Sequence, residues 1–255
     1  MVTFFPTRAI AVEILGFSIH WYGLMYLTGF LIAFLLLPRL QRYRKFTLSS
    51  DDWSALLSWS IIGVLVGGRL GFVFFYEPLY FMAHPLEIVQ VWHGGMSSHG
   101  GFLGVAIAVY VACRKKNIDP LALADILVVP AAIGLALGRL GNYVNQELYG
   151  TVTNLPWAIA VSGVEGLRHP TQFYAIAKDL FSAAVCFWYL RSTTRAGSVI
   201  ALFLILYGVL RFFVEYVRVQ PYGLITLGVV TLSYGQLLTL PLVLAGVFLW
   251  WKIRR

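Results

Sequence analysis

The sequence GLALGRLGNYVNQELYG, residues 134–150, decides how the rest of the chain is interpreted. It begins as an apolar helix and then carries five polar or charged side chains within nine positions: Arg139, Asn142, Asn145, Gln146 and Glu147. In hydrocarbon, each such group is costly unless it is paired or lines a polar cavity. The segment therefore predicts a functional site at the end of a membrane helix.

Three glycines in the same segment, Gly134, Gly138 and Gly141, fall on nearly one helical face. Small residues allow another helix or a lipid headgroup to approach the backbone closely. The alternative is a packing seam in which Arg139 only extends to the membrane interface. The neighbouring amides and Glu147 favour a site.

The composition indicates a polytopic membrane protein. Of the 255 residues, 59% are hydrophobic and only 12% are charged, whereas about a quarter of a soluble domain is charged. The net charge of +8 comes from short basic clusters between apolar segments, which report topology and indicate no nucleic-acid partner. Cys113 and Cys186 have no CxxC spacing or nearby histidine, so we expect free thiols and neither a metal site nor a disulfide framework.

Seven apolar segments are long enough to cross about 30 Å of hydrocarbon. They are residues 19–37, 54–76, 97–113, 121–141, 171–190, 197–217 and 233–251. Twelve basic residues follow spans one, three, five and seven, whereas only Arg8, Arg168 and Arg218 lie in the alternate loops and the N-terminal segment. The positive-inside rule then predicts an outer N-terminus and a cytoplasmic C-terminus.

With this topology, the polar residues inside or beside the spans gather in the outer leaflet. They are His20, Tyr22, Arg69, His99, Arg139, His169, Lys178, Arg211 and Glu215. This bias predicts one polar cavity that opens outward. Arg211 and Glu215, four residues apart, also fit a purely structural ion pair, and His20 fits an interfacial anchor.

His99 lies in the sequence HGGMSSHGG, residues 93–101. Glycine pairs before and after it predict an irregular or re-entrant backbone, which is tolerated in a membrane where it lines a polar cavity. We therefore place His99 in the site.

We expect one integral membrane domain over residues 1–255. Residues 142–170 are predicted to form a periplasmic loop region that contributes a small head and a substrate cap. No P-loop, HExxH or GxSxG motif is present.

Five motifs together resemble the prolipoprotein diacylglyceryl transferase family of the bacterial inner membrane. They are HWYGLMYLTGF (20–30), GMSSHGG (95–101), GRLGNYVNQELYG (138–150), RHPTQFY (168–174) and YGVLRFFVEYVR (207–218). The resemblance covers nearly the whole chain and implies seven transmembrane helices with a periplasmic head. Residues that match the family's functional positions are Tyr22, His99, Arg139, Asn142, Glu147, Gly150, Tyr207, Arg211 and Glu215.

The resemblance implies transfer of a diacylglyceryl group from phosphatidylglycerol to the lipobox cysteine of a preprolipoprotein signal peptide. The products are a thioether and glycerol-1-phosphate, and the resemblance implies that no nucleotide, metal or other cofactor is needed. His99 has a suitable ordinary pKa for the base that deprotonates the thiol. Arg139 and Arg211 suit the phosphate because a guanidinium binds two oxygens at once.

The other matched residues receive supporting roles. Asn142 and Tyr22 would orient the headgroup, whereas Glu147 and Glu215 would hold the arginines, since an unpaired anion beside a departing phosphate opposes the reaction.

Two departures from the family pattern are Ala175, where glutamate is usual, and Gln146, where glycine is common. They leave open a paralogue with restricted substrates. A lipid or anion transporter with an outward-facing, arginine-lined cavity is the alternative from another functional class. The absence of a repeat between the two halves of the sequence argues against it.

Overall fold

A computed structural model describes residues 2–4, 7–91, 94–220, 224–227 and 230–255, with only the backbone described at 2–4, 98, 99, 227 and 230. The described part contains eight α-helices: α1 Trp21–Leu40, α2 Ser50–Phe75, α3 Pro78–Ala83, α4 Ser98–Lys116, α5 Pro120–Val144, α6 Thr171–Ser192, α7 Ser198–Glu215 and α8 Tyr234–Arg254. Short 3₁₀ helices cover Gln41–Arg44 and Pro85–Val89.

Six of the described helices are long and apolar enough to cross a membrane, which confirms the prediction of a polytopic membrane protein. They are α1 with its 3₁₀ extension, α2, α5, α6, α7 and α8. The remaining predicted span, residues 97–113, is the 19-residue helix α4. All seven predicted segments therefore correspond to helices, and the predicted ends lie within four residues of the observed ones.

Two small antiparallel sheets were not predicted by the all-α interpretation. The first consists of β1 Val2–Phe4, β2 Ile10–Ile14 and β3 Phe17–His20 in that order. The second is a hairpin of β4 Leu224–Leu227 and β5 Val230–Ser233. Each strand is at most five residues long, so its alternating pattern is too short to separate from neighbouring apolar sequence.

The chain divides into two compact units, residues 37–123 and residues 1–36 with 124–255. In the unit 37–123, α2 and α4 pack through facing glycines. A Cβ added to Gly63 would lie 2.6 Å from the Gly104 carbonyl oxygen, and one added to Gly71 would lie 2.9 Å from Gly100 Cα. Only glycine therefore allows these two helix backbones to approach so closely.

In the other unit, Asp125 of α5 fixes the start of α7. Its fully buried carboxylate accepts hydrogen bonds from the backbone N–H groups of Gly197, Val199 and Ile200 at 2.8–2.9 Å. These are donors that a helix leaves unpaired at its N-terminus, and the negative charge also suits the helix dipole. This contact joins the start of α7 to α5 within the same unit.

Candidate active site

Three arginines line one narrow cleft in the unit 1–36 and 124–255. Arg139 comes from the last part of α5, Arg211 from α7, and Arg218 from the turn that follows α7. The cleft is narrow, with a cavity volume of about 10 Å³, and is also lined by Leu148, Thr171, Gln172, Ala175 and Val214. Since α5 and α7 end here and α6 begins here, the site forms where three helix termini meet.

A short chain of hydrogen bonds starts at Arg139. Its Nη1 donates to Asn142 Oδ1 at 3.3 Å, and Asn142 Nδ2 donates to Glu147 Oε1 at 3.3 Å. Asn145 Nδ2 also donates to Glu147 Oε1, at 3.1 Å. Glu147 thus orients the Asn142 amide that accepts from Arg139.

The backbone around Glu147 is strained. Gln146 and Leu148 both have φ of 58°, in the left-handed region that non-glycine residues rarely adopt. Two side chains at the start of α6 hold this turn: Thr171 Oγ1 donates to the Leu148 carbonyl at 2.7 Å, and Gln172 Nε2 donates to the Glu147 carbonyl at 2.8 Å. Such strain persists where surrounding contacts fix it, and it is concentrated at functional sites.

Arg211, Glu215 and Arg218 form the second half of the cleft. Glu215 is 3% exposed and accepts from Arg211 Nη2 at 2.9 Å and from Arg218 Nη1 at 3.4 Å. Desolvation by burial, followed by the nearby positive charge of Arg211, lowers the pKa of Arg218, while Glu215 opposes this shift. One carboxylate therefore faces two guanidiniums, which leaves this part of the cleft positively charged.

Glu215 also packs against the first turn of α8. A Cβ added to Gly235 would lie 2.6 Å from Glu215 Cδ, so glycine is required for the carboxylate to lie there. The N-terminal end of a helix favours a nearby negative charge. Glu215 is thus held between two arginines and the start of α8.

A buried ion pair lies beside the arginines. Lys178 and Asp179 of α6 contact each other, and Lys178 Nζ lies 4.0 Å from the centre of the Tyr207 ring. Both residues interact electrostatically with Arg139 and Arg211. Tyr207 thus contacts Lys178, which interacts in turn with both arginines.

Tyr22 packs directly on Gly141, because a Cβ added there would lie 2.6 Å from Tyr22 Cδ2. Tyr22 also interacts electrostatically with Glu147 and Arg139.

Gly150 is also tightly packed. An added Cβ would lie 2.6 Å from the Val217 carbonyl oxygen, and the backbone of Gly150 pairs with that of Arg218. Gly150 therefore brings the loop after α5 against the end of α7.

His99 lies at the second position of α4, in the unit 37–123, and its side chain is outside the described residues. The glycine pairs around it behave differently. Gly94 and Gly95 have φ of 83° and 72° and precede the helix, which matches the irregular backbone predicted here. Gly100 and Gly101 are instead regular residues of α4.

Arg69 has local partners in the same unit. Its guanidinium donates to the carbonyl oxygens of Glu87, Ile88, Gly94 and Gly95 at 2.5–3.2 Å. These bonds fix the segment that leads to α4. They also compensate the burial of the Arg69 charge without a ligand.

Sequence reasoning did not assign Gln172 or Arg218 to the site. Arg218 carried a usable signal, since positions 211, 215 and 218 have the i, i+4, i+7 spacing of one helical face. Gln172 carried none beyond its place in the RHPTQFY motif, because its role depends on contact with a turn 25 residues earlier.

A larger cavity lies at the opposite ends of α6, α7 and α8. Its lining includes Tyr189, Arg195, Ser198, Trp250 and Arg254. It contains no described acidic residue and none of the motif residues. Size alone therefore does not identify the site, and the motif residues favour the smaller arginine-lined cleft.

The sequence of this chain matches one known protein family over most of its length. The family model of prolipoprotein diacylglyceryl transferase matches residues 9–252. A phosphatidylglycerol–prolipoprotein diacylglyceryl transferase of Cereibacter sphaeroides is 40% identical over 276 residues, covering 96% of this chain and 94% of the relative. Relatives of the same name from Bordetella parapertussis and Methylobacillus flagellatus are each 42% identical over 94% of this chain, covering 93% and 94% of their own lengths. The chain therefore belongs to the prolipoprotein diacylglyceryl transferase family.

Proposed function

We propose that this chain transfers the diacylglyceryl group of phosphatidylglycerol to the lipobox cysteine of preprolipoproteins. As a family member it is a transferase. The observation that carries the proposal is the cleft in which Arg139, Arg211 and Arg218 come together beside an oriented Asn142–Glu147 pair. A phosphodiester is the part of the lipid that such a cleft would bind.

The side chains that line the cleft suit a phosphate in charge and in hydrogen bonding. Among the described residues, Arg139 makes one long hydrogen bond, at 3.3 Å, and most of its five N–H donors have no protein partner. Arg211 and Arg218 share a single carboxylate, Glu215. The remaining donors and excess positive charge favour an anionic ligand, and charge-assisted hydrogen bonds to phosphate are among the stronger ones.

The reaction replaces a carbon–oxygen bond by a carbon–sulfur bond. The cysteine thiolate attacks the glyceryl carbon that bears the phosphodiester, and the carbon–oxygen bond breaks as glycerol-1-phosphate leaves. The thiol proton passes to a base, for which we propose His99. Arg139 and Arg211 stabilise the charge on the departing phosphate, which gains one negative charge in the step.

The other predicted residues position these groups. Asn142 and Tyr22 orient the headgroup, while Glu147 and Glu215 hold the arginines. Tyr207 and Gly150 complete the binding site, Tyr207 beside Lys178 and Gly150 through the backbone contact with Arg218. No metal or other cofactor enters this scheme.

We further propose that residues 1–255 form one domain with seven transmembrane helices in the bacterial inner membrane. The charge asymmetry supports an outer N-terminus, a cytoplasmic C-terminus and a periplasmic head that includes residues 142–170. The three helix ends at the arginine cleft agree with this topology, because α5 and α7 would run outward and α6 inward. The cleft would then face the periplasmic leaflet.

The test uses purified protein, phosphatidylglycerol labelled in its acyl chains, and a peptide that carries a lipobox. We expect label to become covalently attached to the peptide and glycerol-1-phosphate to be released in equal amount. A peptide with serine in place of cysteine is the control and should remain unlabelled. Binding of phosphatidylglycerol without transfer, or its movement across vesicles, would overturn the proposal and favour a transporter.

A further inference from the structure

Two buried polar atoms at the arginine cleft have no hydrogen-bond partner within the described residues. They are Gln172 Oε1, an acceptor, and Arg218 Nε, a donor. Both residues line the cleft together with Arg139 and Arg211. Buried polar groups are nearly always paired, so an unpaired acceptor and an unpaired donor in one cleft point to a ligand that carries both complementary groups.

The orientation of the Gln172 amide is fixed by its other bond. Gln172 is 2% exposed, and its Nε2 lies 2.8 Å from the Glu147 carbonyl oxygen. A carbonyl oxygen only accepts hydrogen bonds, so the amide nitrogen must be on that side. The unpaired atom is therefore the oxygen, which requires a donor from the ligand.

Arg218 is oriented in a similar way. Its Nη1 lies 3.4 Å from both carboxylate oxygens of Glu215, which leaves Nε for another acceptor. Three guanidiniums line the cleft and only one carboxylate pairs with Arg211 and Arg218. The acceptor is therefore expected to be anionic.

We infer that Arg218 and Gln172 recognise the two parts of a phosphoglycerol headgroup, with Arg218 Nε donating to a phosphate oxygen and Gln172 Oε1 accepting from a glycerol hydroxyl. This rests on the proposed function and assigns headgroup selectivity within the same cleft. A choline headgroup offers no hydroxyl or N–H donor. An ethanolamine headgroup offers an ammonium donor, but its positive charge is repelled by the three guanidiniums.

The decisive comparison uses two lipids with the same phosphodiester. Phosphatidylpropanol has the charge of phosphatidylglycerol but lacks both headgroup hydroxyls. A site with a buried acceptor rejects an analogue that cannot donate to it. We expect wild-type protein to prefer phosphatidylglycerol as donor by about 10- to 100-fold in kcat/KM, the range for one buried hydrogen bond left unmade.

Two variants separate the two contacts. Gln172→Met removes the acceptor, so the preference should fall to within about threefold, well below the range for one lost hydrogen bond. Arg218→Lys keeps the charge and removes Nε, so transfer from both lipids should fall together while the preference stays at the wild-type value. Gln220→Met is the matched control: Gln220 also donates Nε2 to backbone carbonyls, of Glu215 and Arg218, but does not line the cleft. It should keep the wild-type preference.

Several results would overturn the inference. One is a wild-type enzyme that does not distinguish the two lipids, and another is a Gln172→Met variant that loses activity equally on both, which would indicate only a structural role in the strained turn. If Gln172→Met fails to accumulate, Arg218→Lys decides, and a changed preference in that variant contradicts the assignment.

Binding separates this inference from the proposed function. If wild-type protein transfers from neither lipid, the proposed function fails. A preference for binding phosphatidylglycerol that Gln172→Met abolishes would still support the selectivity site, whereas equal binding of both lipids would reject it.

Discussion

Arg69 and the arginines of the cleft differ in how many of their N–H donors find an acceptor in the protein. Arg69, in the unit 37–123, donates to four backbone carbonyls and lies over the Phe81 ring at 4.9 Å. In the other unit, Arg139 makes one long bond, and Arg218 Nε is buried without a partner in the described chain. Arg69 thus directs four of its five N–H donors to its own backbone, whereas the arginines of the cleft retain more donors without a partner among the described residues.

The difference shows how a buried cation can be assigned to structure or to function. Both kinds are expensive to bury, so both require compensation. When the fold supplies most of the partners, as for Arg69, the residue stabilises a segment. When partners are missing, as in the arginine cleft, the site is incomplete until an anion binds.

The largest effect is expected at His99, the proposed base. If His99 deprotonates the thiol, His99→Asn should lower the transfer rate by about 100- to 10,000-fold near neutral pH. Raising the pH toward the thiol's ordinary pKa of about 8.5 should partly restore the rate, because the thiolate then forms without a base. The measurement is the pH profile of transfer at equal membrane abundance.

Arg139→Lys serves as the control for this pH response. It should show no rescue at higher pH, because its defect is in phosphate binding. The same pH response in both variants would show that His99 and Arg139 do not act separately as base and as phosphate ligand.

A somewhat smaller effect is expected at Arg139 itself. Loss of one charge-assisted contact in a dry site is worth roughly 2–4 kcal/mol, or on the order of 30- to 1,000-fold in rate. Arg139→Gln should show this loss in full. The rate of Arg139→Lys should lie between those of Arg139→Gln and wild type, because lysine keeps the charge but cannot bind two phosphate oxygens at once. Equal rates for Lys and Gln would contradict bidentate binding of the phosphate.

The smallest effect on chemistry is expected at Arg69. Arg69→Gln should lower the amount of folded protein, since four carbonyls lose their donor, but the rate per folded molecule should stay within about 0.5 kcal/mol, roughly twofold, of wild type. Folded abundance by size-exclusion chromatography and transfer rate must be measured together. A loss of rate as large as that of Arg139→Gln would place Arg69 in the site after all.

Much of this fold could be predicted from sequence because membrane helices depend on local composition. The seven apolar segments correspond to helices, and the residue pair Arg211 and Glu215 could be recognised from its spacing. The partners of Arg69 could not be predicted, since they are backbone carbonyls 18–26 residues away. The role of Gln172 is hidden for the same reason, because it depends on how α6 meets the strained turn at Glu147.

The most direct test of the central claim is the binding of glycerol-1-phosphate, the phosphate-bearing product, measured by phosphorus NMR titration of the detergent-solubilised protein. Wild type and Arg69→Gln are predicted to bind it with equal affinity, and Arg139→Gln is predicted to bind it about 10- to 100-fold more weakly, the loss expected for one charge-assisted hydrogen bond. Unchanged affinity in Arg139→Gln, or an equal loss in Arg69→Gln, would contradict the claim that unpaired arginine donors in this cleft bind the phosphate.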